Sequence, residues 1–216
     1  MTKIIYNKYD KGLIPTLPVA EFNGRIVVVL SATEARHAVD YLLLCPLLGL
    51  DTETRPSFKR GQQHKVALLQ VATADTCFLF RLNYTGLTAD IIRLLEDTNV
   101  KKIGLSWHDD LNALHRLGDF KTGLFIDIQD LVRELGIEDL SLQKIYANLF
   151  GQKISKRQQL SNWEADVLTD KQKLYAATDA WACINIYNEL LCLKEHKDYE
   201  LIIKKEPHEA SVSEER

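Results

Sequence analysis

The apolar run Leu47-Leu48-Gly49-Leu50 stops at Asp51-Thr52-Glu53, and that junction constrains the fold more than any other stretch of the chain. An apolar run bounded by polar residues reads as a buried strand, here Leu47 to Asp51. Side chains alternate faces along a strand, so Asp51 and Glu53 project together from its end. Two carboxylates on one side of a buried strand repel each other and resist desolvation, so something cationic is expected between them. The alternative is a turn in which both acids face water.

Two further acidic sites lie downstream. Ile103-Gly104-Leu105-Ser106-Trp107-His108-Asp109-Asp110, followed by leucines at 111, 114 and 117, predicts a short strand, a turn and an amphipathic helix. Asp109 or Asp110 falls at the start of that helix, where one of the two reads as an N-cap. Tyr175-Ala176-Ala177-Thr178-Asp179 lies in a long helical stretch, roughly Asp170 to Lys194, whose start carries the capping-box pair Thr169 and Gln172. Tyr175 and Asp179, four residues apart, share one face of it.

Together these sites resemble the three motifs of the DEDD 3′–5′ exonuclease superfamily: Asp51-x-Glu53, then Asp110, then Tyr175-x-x-x-Asp179. Tyr four residues before the last Asp marks the DEDDy branch. The sister branch carries His five residues before that Asp, where this chain has Leu174. Arg55-Pro56-Ser57-Phe58, Gly61 and Lys65-Val66-Ala67-Leu68-Leu69-Gln70 look like the sequence that follows the first motif in Werner-type exonuclease domains, with ribonuclease D a more distant relative. The resemblance runs from about Ile26 to Leu193.

The resemblance implies a single-domain α/β fold, the ribonuclease H-like mixed sheet covered by helices, and two divalent cations, Mg²⁺ or Mn²⁺. Asp51, Glu53 and Asp179 are the implied ligands of the cation that activates water. Asp51 would bridge to the second, which Asp110 would hold mainly through water. Such a pair, about 3.5–4 Å apart, can activate a nucleophile and stabilise the leaving oxygen of a phosphodiester. Hard carboxylate oxygens suit both metals. Tyr175 is implied to orient the attacking water, because a phenol titrating near ~10 is a poor base at neutral pH. The spacing to the following apolar helix position favours Asp110 over Asp109 for the second motif, leaving Asp109 as a cap or solvent-facing. Asp127, at the end of Phe125-Ile126-Asp127, reads as a helix cap.

Expected substrate contacts are Thr52, between the two acids, Arg55 and Phe58 after them, and Lys156 and Arg157 before the last helix. They sit in two basic clusters, Arg55/Lys59/Arg60/Lys65 and Lys153/Lys156/Arg157, suited to the backbone of a single strand. The alternative is a solvated surface. Trp163 reads as packing, and His108 as a local hydrogen-bonding residue.

The rest of the chain excludes competitors. There is no glycine-rich phosphate loop. The cysteines at 45, 77, 183 and 192 form no C-x-x-C pair, and thiols without a framework suggest a reducing, cytoplasmic setting. A net charge of −3 is not that of a general nucleic-acid binder, but bound cations would reverse it locally at the site. No apolar stretch approaches a membrane span. Coarse elements are strands at Ile26–Leu30, Leu47–Asp51, Val66–Ala72 and Cys77–Phe80 and from Lys102. Helices are expected at Ser31–Cys45, where Ser31 and Glu34 form a capping box, and at Ala89–Asp97, with helices dominating thereafter. Residues 1–22 read as an extension, 23–200 as the exonuclease domain, and 201–216 as a polar, disordered tail. The favoured reading is release of nucleoside 5′-monophosphates from the 3′ end of DNA. The alternatives are a ribonuclease D-like exoribonuclease and a catalytically silent module that binds nucleic acid or a partner.

Overall fold

The computed structural model describes residues 2–204. In chain order the elements are β1 (Lys3–Tyr6), β2 (Arg25–Val29), α1 (Ala32–Leu42), β3 (Leu47–Thr54), β4 (Val66–Ala72), β5 (Thr76–Arg81), α2 (Leu82–Thr85) and α3 (Ala89–Glu96). They continue with β6 (Lys101–Gly104), α4 (Trp107–His115), β7 (Phe125–Asp127), α5 (Ile128–Glu134), α6 (Leu142–Phe150), α7 (Asp170–His196) and β8 (Tyr199–Ile202). Six strands form a mixed sheet in the order β2-β5-β4-β3-β6-β7. β3, β4 and β5 pair antiparallel, and β2 with β5, β3 with β6 and β6 with β7 pair parallel.

The period-two pattern of β3 sorts its side chains between two layers. Leu48 and Leu50 pack with α1, α3 and the start of α4. Gly49 faces α7, and only glycine fits there, because a Cβ would lie 2.0 Å from the Ala180 carbonyl oxygen. Asp51 and Glu53 follow Gly49 on that same face. α7 is buried on most sides: Ala176, Ala177 and Ala180 meet the sheet, while Ala182, Cys183, Ile186 and Leu190 pack in a second cluster with α5 and α6. A helix enclosed on both flanks needs apolar residues all round rather than a stripe. No helix among the described residues is long and apolar enough to cross a membrane.

Local signals decide most boundaries. Ser31 with Glu34 and Thr169 with Gln172 form the expected capping boxes. α1 ends at Leu42 rather than Cys45, as the preceding-proline restriction at Pro46 favours. β3 corrects a second expectation. It runs to Thr54, so Asp51 opposes Gln70 and Glu53 opposes Leu68 inside a paired strand rather than at its end. The ladder continues because β4 offers a fully buried partner and backbone pairing does not require apolar side chains. The register then slips between Glu53 and Thr54, leaving Ala67 as the extra residue of a bulge, a device that re-aims side chains beside a site.

Residues 1–22 carry no periodic signal, yet β1 pairs parallel with β8 over Lys3↔Tyr199 to Tyr6↔Ile202. Ile5 is fully buried, Val19 bridges Lys153, and Phe22 packs against Trp181 with ring centroids 6.1 Å apart. β8 includes Leu201 and Ile202, the first residues of the expected tail. The tail from residue 205 onward lies outside the described residues.

Candidate active site

β3 and α7 bring three acids together. Asp51 and Glu53 point from the strand toward the helix, and Asp179 meets them from the turn above Tyr175. Carboxylate oxygens of Asp51, Glu53 and Asp179 all lie within 4.8 Å of one another. Asp110 arrives from the other layer, in the first turn of α4. The Thr52 hydroxyl donates a hydrogen bond to its Oδ1. Thr52, expected to contact substrate, is thus occupied with holding Asp110. The site straddles the paired C-terminal half of β3, with three acids on the α7 face and the fourth on the face of Thr52.

The placement of α4 rests on Asp127. Its carboxylate accepts from the backbone N–H of Gln129 at 2.8 Å, capping its own helix. It also accepts from Ser106 at 3.0 Å and Trp107 at 2.9 Å, satisfying donors at the start of α4. Ser106 turns the chain through the left-handed region at φ 61° and contributes no side-chain cap. Asp109 does not cap either: it is exposed, one position before Asp110, because the helix has already begun at Trp107.

Burial dominates the electrostatics. It raises the carboxyl of Asp51 well above its ordinary range, with Asp179 and Asp110 adding repulsion. Burial, then Asp51, Asp179 and Asp110, push Glu53 up to about 10. Burial lifts Asp110 to about 6 against the hydrogen bond from Thr52. Asp179 rises to about 7 by burial, opposed by the Tyr175 hydroxyl and the Lys156 ammonium. Tyr175 itself moves above the ordinary phenol range through burial and then the neighbouring acids. Asp179 Oδ1 is buried with no hydrogen-bond partner among the described residues. Converging hard oxygens, an orphaned carboxylate atom and like charges with too few cations fit a divalent metal centre of the Mg²⁺ or Mn²⁺ kind.

The acids open into a cleft of about 290 Å³ whose other walls include Gln143, Ser155, Lys156 and Gln159. Gln143 and Gln159 have no signal in the sequence. Gln143 is fixed by its side-chain amide donating to the Ile154 carbonyl at 2.9 Å, a contact made only once α6 and the 154–159 segment meet. Cys183 lies beneath the acids, where burial and then the acids raise its thiol well above the usual range. Arg157 lines an adjoining cleft with Lys171 and Leu174. Lys153 is turned away to the Pro15 carbonyl. Phe58 stands 84% exposed on the loop after β3, beside the exposed Lys59 and Arg60. Arg55 on the same loop pairs with Glu164 at 3.2 Å. Trp163 is fully buried with its ring 6.0 Å from that of Tyr175, in the packing role expected of it. His108 is exposed.

The chain is similar to known proteins. A sequence model described as 3′–5′ exonuclease matches residues 26–193. The bifunctional 3′–5′ exonuclease/ATP-dependent helicase WRN of Mus musculus is 31% identical over 184 residues, covering 81% of this chain and 13% of that protein. A 3′–5′ exonuclease of Arabidopsis thaliana is 29% identical, covering 80% of this chain and 66% of that protein. DNA polymerase I of Aquifex aeolicus is 31% identical over 144 residues, covering 67% and 23%. The chain therefore spans less than two thirds of these relatives' own lengths. Among solved structures, the EXO domain of Aedes aegypti Nibbler superposes with a TM-score of 0.75 at 20% identity, covering 84% of this chain and 95% of that one. Escherichia coli RNase D gives 0.71 at 20% identity, covering 81% and 46%. The fold is the ribonuclease H-like α/β architecture expected from the sequence.

Proposed function

The chain belongs to the 3′–5′ exonuclease family, and we propose that it hydrolyses the terminal phosphodiester at the 3′ end of DNA in a divalent-metal-dependent reaction, releasing nucleoside 5′-monophosphates. The observation that carries this reading is the convergence of Asp51, Glu53 and Asp179 within 4.8 Å, with Asp110 and Tyr175 beside them. Asp51, Glu53 and Asp179 would hold one cation, and Asp110 with Asp51 a second. Bound there, such cations supply a nucleophile and neutralise charge developing on the phosphate.

The chain's own groups do the positioning. Tyr175 stays a neutral phenol through physiological pH, so it orients the attacking water by a hydrogen bond and does not remove its proton. Thr52 fixes the orientation of Asp110. Lys156, on the cleft wall, offsets the charge of the incoming phosphate. The apolar wall of Leu105, Leu142 and Ile154 restricts water around the reacting bond.

The assignment to DNA is supported by the likeness of residues 55–70 to Werner-type domains and by the similarity to a DNA polymerase. The RNase D likeness, at 20% identity, speaks to the fold alone. Choice between the two strands turns on contacts to one hydroxyl, the 2′-OH. The test is a competition between 5′-labelled DNA and RNA of identical sequence with Mg²⁺. The DNA is expected to shorten faster. Faster shortening of the RNA overturns the substrate assignment.

A further inference from the structure

The loop between β3 and β4, residues 55–65, has no regular secondary structure, yet it leaves the sheet two residues after Glu53. It carries Phe58, Lys59 and Arg60 into solvent, an aromatic flanked by cations, which is the combination that stacks on a base while holding its phosphates. A loop of this kind docks a strand well only if something fixes its ends, because ordering it at the moment of binding costs affinity.

One carboxylate does so. Glu164 Oε2 accepts from Arg55 Nη1 at 3.2 Å, at the start of the loop. Glu164 Oε1 meets His64 Nδ1 at 2.9 Å, at its end. Among the described residues, every side-chain hydrogen bond or ion pair from this loop to the body of the protein ends on Glu164. Glu164 is itself held: its backbone N–H donates to Asn162 Oδ1 at 3.1 Å, and its neighbour Trp163 is fully buried against Tyr175. The pin is thus anchored to the wall of the acidic cleft. It also employs Arg55, which the sequence suggested as a direct substrate contact.

We propose that Glu164 is a positioning residue that clamps both ends of the 55–65 loop and so presents Phe58, Lys59 and Arg60 to the nucleotides next to the 3′ end. The inference rests on the exonuclease reading for its ligand, a single-stranded 3′ segment, but its structural half stands apart from that reading.

Glu164→Ala and the near-isosteric Glu164→Gln separate the two. Each is compared with the wild-type chain by three readouts: trypsin cleavage after Lys59 and Arg60, anisotropy of a labelled single-stranded DNA with chelator present, and kcat with Mg²⁺. A partly exposed ion pair and a single side-chain hydrogen bond are each worth up to ~1 kcal/mol, so losing both should speed cleavage and weaken strand binding by roughly 3- to 10-fold, with kcat unchanged. Glu164→Gln should fall between the other two proteins. Unchanged cleavage overturns the clamp. Faster cleavage with unchanged strand affinity overturns the presenting role, as does a loss confined to kcat. A wild-type chain that binds the strand and hydrolyses nothing would refute the exonuclease reading and leave the clamp standing on its first two readouts.

Discussion

At Tyr175 the phenol faces Asp179, Glu53 and Asp51, and burial with those charges holds its proton. A group so placed can orient a nucleophile but cannot serve as its base. Tyr175→Phe should therefore lower kcat by about 100-fold, the scale of a misplaced reacting group, while Mn²⁺ affinity by calorimetry stays at the wild-type value. Unchanged turnover would remove the role. The residues legible in the sequence were those whose type is itself the chemistry: four acids and a Tyr at recognisable spacing. Glu164 and Gln143 were not legible. Their importance lies in partners such as Arg55, 109 positions away in sequence, and nothing local to them marks it.

Among the elements, α4 shows how a single side chain can govern a site it does not touch. Asp127 accepts from three backbone N–H groups, one in its own helix and two at the start of α4. Asp127→Ala removes one cap and orphans the donors that fix α4. It should cost about 2–4 kcal/mol in chemical denaturation and also depress activity through Asp110. Wild-type stability in that variant would contradict the double cap. Elements announced by local chemistry, such as the helices begun at Ser31 and Thr169, were readable in advance. The short strands β1 and β8 were not, because among the described residues each finds its strand partner in the other, across nearly the whole chain. β3 was underread for a related reason: its polar half is a strand only because β4 is there to pair with it.

For the whole molecule, the acidic cluster couples metal, protons and stability. Folding raises Asp179 from 3.8 to about 7 and Asp110 from 3.8 to about 6. Groups raised on folding contribute stability that is complete below their unfolded pKa, near 4, and lost as pH climbs through the folded values. The metal-free protein should therefore lose this contribution between about pH 4 and 7, and further toward the value of about 10 held by Glu53. Divalent cations bind the deprotonated acids, so the rise in Tm produced by Mg²⁺ should grow from pH 5 to pH 8. A Mg²⁺ effect that is flat over that range would mean that these acids do not bind the cation.

The most direct test of the central claim is to follow a 5′-labelled single strand with Mg²⁺, with Mn²⁺ and with chelator, using the wild-type chain and Asp51→Asn in parallel. The structure predicts a ladder that shortens from the 3′ end, requires metal and is lost in the variant. No ladder from folded wild-type protein with either metal, or an undiminished one from Asp51→Asn, would contradict it.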